Sequence, residues 1–195
     1  MNNISIKKFI QDEKKIDKTP KSIDYSYYEF LIFFMRRTKL TKHDITIGIY
    51  FAYGWMPRML SKFDISNINK IVNILNRAKR GIFPQENELE ILRDSINNSL
   101  VGVSKLLHFI NPDIFAIWDS NVYKYIQKKG KAPQCKFQSI RHYLDYHKKL
   151  NQLIKQKGFS SVHKSINKKI GYNVSAMRAC EYIMYLSQRS KDKHR

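Results

Sequence analysis

Apolar residues recur every three or four positions along nearly the whole chain, and almost no segment alternates them with period two, so the sequence dictates an all-α architecture. Ile68, Ile71, Val72, Leu75 and Ala78 form one stripe behind Ser66, a cap candidate. Leu89, Leu92, Ile96 and Leu100 form another after Glu86 and Glu88, acids suited to a helix start. Further helices are predicted over about 3–16, 25–38, 43–54, 138–157, 160–169 and 174–188. Breaks fall at Pro20, Pro57, Pro84, Pro112, Pro133, Gly158 and Gly171, and the break at Pro57 sets a lobe boundary near 55–65. In the last helix Ala176, Ala179, Ile183 and Leu186 are expected to face inward and Arg178 and Arg189 outward, leaving residues 189–195 as a loose basic tail.

The chain has 195 residues, a length for one compact unit, or two lobes sharing a core, that buries roughly 70 % of its unfolded surface. With 43 % apolar and 13 % aromatic residues it is not a disordered basic tail. The longest apolar runs, Tyr28 to Met35 and Ile45 to Trp55, fall short of the roughly 18 residues of a membrane span. Asp12 and Glu13 near the amino terminus, with no small-residue cleavage site after an apolar stretch, argue against a secretory signal. A cytoplasmic, nucleoid-associated monomer with no membrane partner is expected. Cys135 and Cys180, 45 positions apart, build neither a disulfide framework nor a four-thiolate site, and no two of the six histidines stand at helical i, i+4 spacing. No metal and no cofactor is expected.

Charge is distributed unevenly. Residues 1–120 hold 18 basic and 13 acidic side chains, whereas residues 121–195 hold 18 basic and 3 acidic ones, which makes the helices of 120–188 the polyanion-facing part. Such a field attracts phosphate backbones by counterion release, giving affinity that falls with salt. Nucleic acid is therefore the first partner class and bare solubility the bland alternative. An anionic membrane surface comes second, because Tyr123, Tyr125, Phe137, Tyr143 and Tyr146 interleave with the bases instead of lining one apolar face.

Residues 97–126 read NNSLVGVSKLLHFINPDIFAIWDSNVYKYI and differ in kind from the rest. The pattern predicts a helix end, a turn at Gly102, Val103 and Ser104, a short helix from about Ser104 to Ile110, a break at Asn111, Pro112 and Asp113, and a helix starting at Asp119. The hairpin is thus placed at 97–110. A glycine in such a turn lets backbone approach a phosphate, and amides opening the next helix point outward as anion donors. Lys105 follows at once, flanked by Leu106, Leu107 and Phe109, where desolvation favours the free, nucleophilic amine. Read blandly, Lys105 is a snorkelling or phosphate-contact lysine and Asp119 a helix cap. Tyr53, Trp55, Met56 and Arg58 in the YGWMPRM break are pocket or cleft candidates, as are His108 and Trp118; core packing is the alternative for each. Asn97 and Asn98 either cap the first hairpin helix or contact DNA.

The strings VGVSK and WDSNV resemble the signature of the helix-hairpin-helix DNA glycosylases, most closely the lysine-bearing 8-oxoguanine glycosylase/lyase branch. The likeness covers about 25 residues, with one glycine and a serine where many members have two glycines. It implies two helical lobes around a cleft with a helix-hairpin-helix element. It also implies that Lys105 is the Schiff-base lysine, Asp119 the catalytic aspartate, and Gly102, Val103 and Ser104 the hairpin holding the DNA backbone. The implied function is excision of a damaged or modified base, an oxidised purine such as 8-oxoguanine first, from a flipped nucleotide of double-stranded DNA, with lysine-dependent AP-lyase activity. Alkylated or hypermodified bases are alternative substrates, and a non-catalytic helical DNA-binding module is the alternative function. The cysteine quartet of the iron–sulfur branch is missing.

Overall fold

The computed structural model describes residues 2–16, 21–55 and 59–193 of the chain. In order, its helices are α1 (Ile6–Lys14), α2 (Lys21–Met35), α3 (Lys42–Trp55), α4 (Ile68–Lys79), α5 (Glu86–Ser95), α6 (Leu100–Ile110), α7 (Ser120–Gln127), α8 (Gln134–Phe137), α9 (Ile140–Leu153), α10 (Phe159–Ile170) and α11 (Ala176–Lys193). A 3-10 turn over Ile65–Asn67 precedes α4. The described residues contain no strand, only one isolated antiparallel bridge between Phe63 and Ile96, so the all-α expectation holds. Among them no helix is long and apolar enough to cross a membrane.

The chain divides into two compact units, residues 22–115 and residues 1–21 with 116–195. The divisions thus fall beside 21 and 115, not near 55–65. The reason lies in the segment after residue 58, which folds back onto the α5–α6 corner: Asp64 N–H donates to Ser95 O at 2.9 Å and Asn97 N–H to Lys62 O at 3.0 Å. The expected lobe break is stitched into one unit.

In the 22–115 unit, α6 packs on α3, α4 and α5. Apart from half-buried Val101 and Lys105, every residue of α6 is buried, as befits a helix apolar on all sides. α4 carries the predicted stripe, with Ile71, Leu75 and Ala78 fully buried. Its lead-in is capped by Asp64, whose side chain accepts from Ser66 N–H at 2.9 Å, so Ser66 is the capped residue and not the cap. Buried Asn76 accepts from Leu40 N–H and donates to Leu40 O, both at 2.8 Å, pinning the α2–α3 loop to α4. α3 opens with a reciprocal cap: Asp44 accepts from Thr41 N–H at 2.9 Å while Thr41 Oγ1 accepts from Asp44 N–H at 3.2 Å. Burial favours the neutral acid at Asp44, but hydrogen bonds from Arg37 and Thr41 outweigh it and hold the carboxyl at about 2.

In the other unit α7 lies along α11, and α1 packs on α10 and α11. Two acids of α1 are buried and partnered: Asp12 accepts from Tyr125 Oη at 2.8 Å, and Glu13 from Ser165 Oγ at 2.7 Å and Lys169 Nζ at 2.6 Å. α11 departs from expectation twice. Arg178 is buried, because Glu181 one turn later is buried with it and takes its guanidinium. The helix also continues through Lys193, so the expected loose tail from 189 is largely helical.

Candidate active site

The corner between α5 and α6 is a four-residue turn, Ile96 to Ser99. Asn97 and Asn98 both adopt left-handed backbone, at φ 58° and 47°, a conformation asparagine tolerates better than most residues. Ser99 then caps α6, its Oγ accepting from Gly102 N–H at 3.1 Å. The turn therefore lies at 96–99, and Gly102, Val103 and Ser104 sit inside α6, all buried. The predicted phosphate-holding turn at these three residues is corrected on that ground. Ser104 Oγ donates to Val101 O at 2.9 Å, a bond within the helix. Gly102 meets Tyr53 of α3, where a β-carbon would lie 2.7 Å from the phenolic oxygen and 3.0 Å from Cε2. The glycine permits close helix packing. Of the two asparagines, Asn97 is engaged by Ser61 and Lys62, whereas Asn98 is exposed.

Lys105 is half-buried on the following turn of α6, and its Nζ lies 5.0 Å from the centre of the Trp55 ring at the end of α3. It is the one lysine or arginine of that helix. Trp55 is backed by Tyr27, at 6.2 Å between ring centres, and by Phe109, edge-on at 5.5 Å. Four predicted residues, Tyr53, Trp55, Gly102 and Lys105, thus come together where α3 packs on α6. Tyr27 joins them from α2 with no local signal, since its contacts with Trp55 and Phe109 reach other helices. Met56 and Arg58 lie outside the described residues.

Two pocket candidates prove to be core. His108 is fully buried; its Nδ1 donates to Phe115 O at 2.6 Å, as a carbonyl can only accept, and its Nε2 pairs with Tyr27 Oη at 2.7 Å. Trp118 is equally buried, its Nε1 donating to Phe137 O at 2.7 Å and its ring packed at 5.0 Å on Tyr146. Neither lines an open cleft. Tyr53 is also buried, at 3 % exposure, and only Trp55 of these aromatics keeps a partly exposed surface.

Asp119 belongs to the other unit. It is half-buried and serves as the α7 cap, its Oδ1 accepting from Val122 N–H at 2.8 Å. Beneath it Tyr146 Oη donates to Ile117 O at 3.1 Å, and burial holds the Tyr146 phenol well above its ordinary range. Nearby His147 is buried; desolvation lowers its imidazole to about 3 against a weaker upward pull from a hydrogen bond with the Ala116 backbone. The described residues hold no group of three or more His, Cys, Asp or Glu side chains able to bind a metal ion. Neither family models, nor curated proteins, nor solved structures yield a match to this chain.

Proposed function

We propose that the protein is a DNA glycosylase with lysine-dependent lyase activity, acting on a damaged or modified base, an oxidised purine first, flipped from double-stranded DNA. The observation that carries this reading is the half-buried Lys105 amine over the partly exposed Trp55 ring. An extruded base stacks on an aromatic face of this kind and displaces the ammonium from it. The released ammonium gives up one proton to solvent, and the free Lys105 amine attacks the sugar C1′. The bond between C1′ and the base nitrogen breaks, its electron pair leaves with the base, and the base takes up a proton. As the sugar ring opens, the remaining Nζ proton passes to the ring oxygen and an imine forms; loss of a C2′ proton then expels the 3′ phosphate with the C3′–O electron pair and nicks the strand. The Asp119 carboxylate has the chemistry to stabilise the cationic sugar or to take the amine proton. Strand grip passes from Gly102, Val103 and Ser104 to the true turn, with Asn98 as its exposed side chain.

A specific observation favours a second reading. The Asp119–Val122 bond is what a plain helix cap makes, and a helical DNA-binding module needs no more. Borohydride reduction of protein mixed with duplexes, each carrying one lesion, separates the two. The glycosylase reading expects a covalent adduct on at least one duplex, lost in Lys105→Ala with duplex binding kept. Trapping at wild-type level in Lys105→Ala overturns the lysine assignment, and base release from no duplex in the panel favours the module.

A further inference from the structure

The stretch from 121 to 144 holds six basic side chains and no acid. Within it an open cleft of about 460 Å³ is lined by Tyr123, Lys129, Gly130, Lys131, Pro133 and Lys136. The three lysines and Pro133 are exposed, while the Tyr123 ring is seated in the unit at 5 % exposure. The wall carrying Lys136 is fixed at two successive carbonyls. His142 Nδ1 donates to Lys136 O at 2.9 Å, and Trp118 Nε1 donates to Phe137 O at 2.7 Å. Tyr123 is held between the same two side chains, edge-on to Trp118 at 6.0 Å and to His142 at 5.9 Å. The buried Tyr123 ring thus meets exposed Pro133 and three exposed lysines along one cleft.

We infer that this cleft is a binding site for single-stranded nucleic acid, taking one unpaired nucleotide with its flanking phosphates. Three lysines line one concavity with no acid among the lining residues, and phosphodiester oxygens would supply the balancing charge. The floor of Pro133 and the Tyr123 edge is apolar, which suits a base face or sugar and gives nothing to a second phosphate. The volume lies in the range of small-ligand pockets, roughly 300–1,000 Å³. A duplex backbone, convex and fully hydrated, meets only the rim; an unpaired nucleotide reaches the floor. The inference rests on nucleic acid being the partner, but on a part of the chain distinct from Lys105 and Trp55.

The test is binding of an undamaged oligothymidylate of twelve residues, read by fluorescence anisotropy across a salt series, with the duplex of the same length as comparison. The variant Lys129→Gln/Lys131→Gln/Lys136→Gln is set against Lys148→Gln/Lys155→Gln/Lys164→Gln, which removes equal charge from exposed lysines of the same unit. The cleft variant is expected to lose at least about tenfold in single-strand affinity, with a log–log salt slope shallower by about 2. The control is expected to lose less than about threefold. A second readout localises the contact. Cys135 is exposed between Gln134 and Lys136 while Cys180 is buried, so saturating oligothymidylate should slow maleimide labelling of Cys135 severalfold. Equal losses in the two variants, unaltered labelling, a loss of duplex affinity in the cleft variant as large as its loss of single-strand affinity, or stronger binding to phosphatidylserine vesicles than to the strand would each overturn the inference. Because no base release is read, failure here leaves the borohydride result standing, and failure of trapping leaves the cleft measurement standing.

Discussion

Tyr53 lies against the bare α-carbon of Gly102, so close that a β-carbon added there would stand 2.7 Å from the phenolic oxygen. Tyr53 is itself buried, at 3 % exposure. Gly102→Ala should therefore destabilise the fold by about 1–3 kcal/mol through overpacking, measured by denaturant unfolding. A glycine used only to approach a phosphate gives the opposite pattern: unchanged stability and weaker DNA binding.

Lys105→Arg keeps a cation in reach of the Trp55 ring, and arginine stacks on indole at least as well as lysine. Its guanidinium cannot form the imine. The variant should bind duplex DNA within about threefold of wild type and give no borohydride adduct, scored on a denaturing gel; a persistent adduct would place the nucleophile elsewhere.

Asp119→Asn and Asp119→Ala divide the roles of one carboxylate. Asparagine caps a helix about as well as aspartate, so its stability change should stay within a few tenths of a kcal/mol, while alanine should lose about 1 kcal/mol with the α7 cap. Base release should fall at least about a hundredfold in both variants. If Asn retains full release, the residue is a cap and nothing more.

His147 makes stability pH-dependent. Its folded-state pKa, about 3, lies below its ordinary 6.5, so between these values the unfolded chain binds a proton that the folded one does not. Stability contributed by this residue is complete above 6.5 and falls as the pH drops toward 3. Between pH 7 and pH 5 the loss is about 2 kcal/mol. Chemical unfolding at the two pH values should show His147→Phe losing less than wild type by about that amount, and equal losses would refute the assignment.

How far the sequence discloses this molecule is clearest in α4 and α6. The α4 stripe is visible because one face is apolar and the other polar, so the period carries the phase. α6 is apolar all round, and its glycine, with no amphipathic pattern to contradict it, reads as a turn. What places Gly102 in mid-helix is Tyr53, far away in the sequence. The true corner does carry a local signal, Asn97 and Asn98 followed by a serine cap. Lys105 stands out in sequence as the one charged side chain among apolar neighbours, and Trp55 as part of the Pro57 break, but their pairing across α3 and α6 has no local signal. His108 and Trp118 read as pocket residues because they neighbour Lys105 and Asp119 in sequence, but exposure is decided by what packs on them, Tyr27 and Tyr146. Arg178 reads as an outward charge until Glu181 is seen buried beside it.

The doubled left-handed backbone at Asn97 and Asn98 also governs how this gene can drift. Each position penalises ordinary side chains by roughly 1–2 kcal/mol, so codon changes there are tolerated toward glycine or aspartate and resisted toward valine or isoleucine. A descendant that fixes a branched residue at either site must have rebuilt the bend, and with it the entry into the helix that bears Lys105.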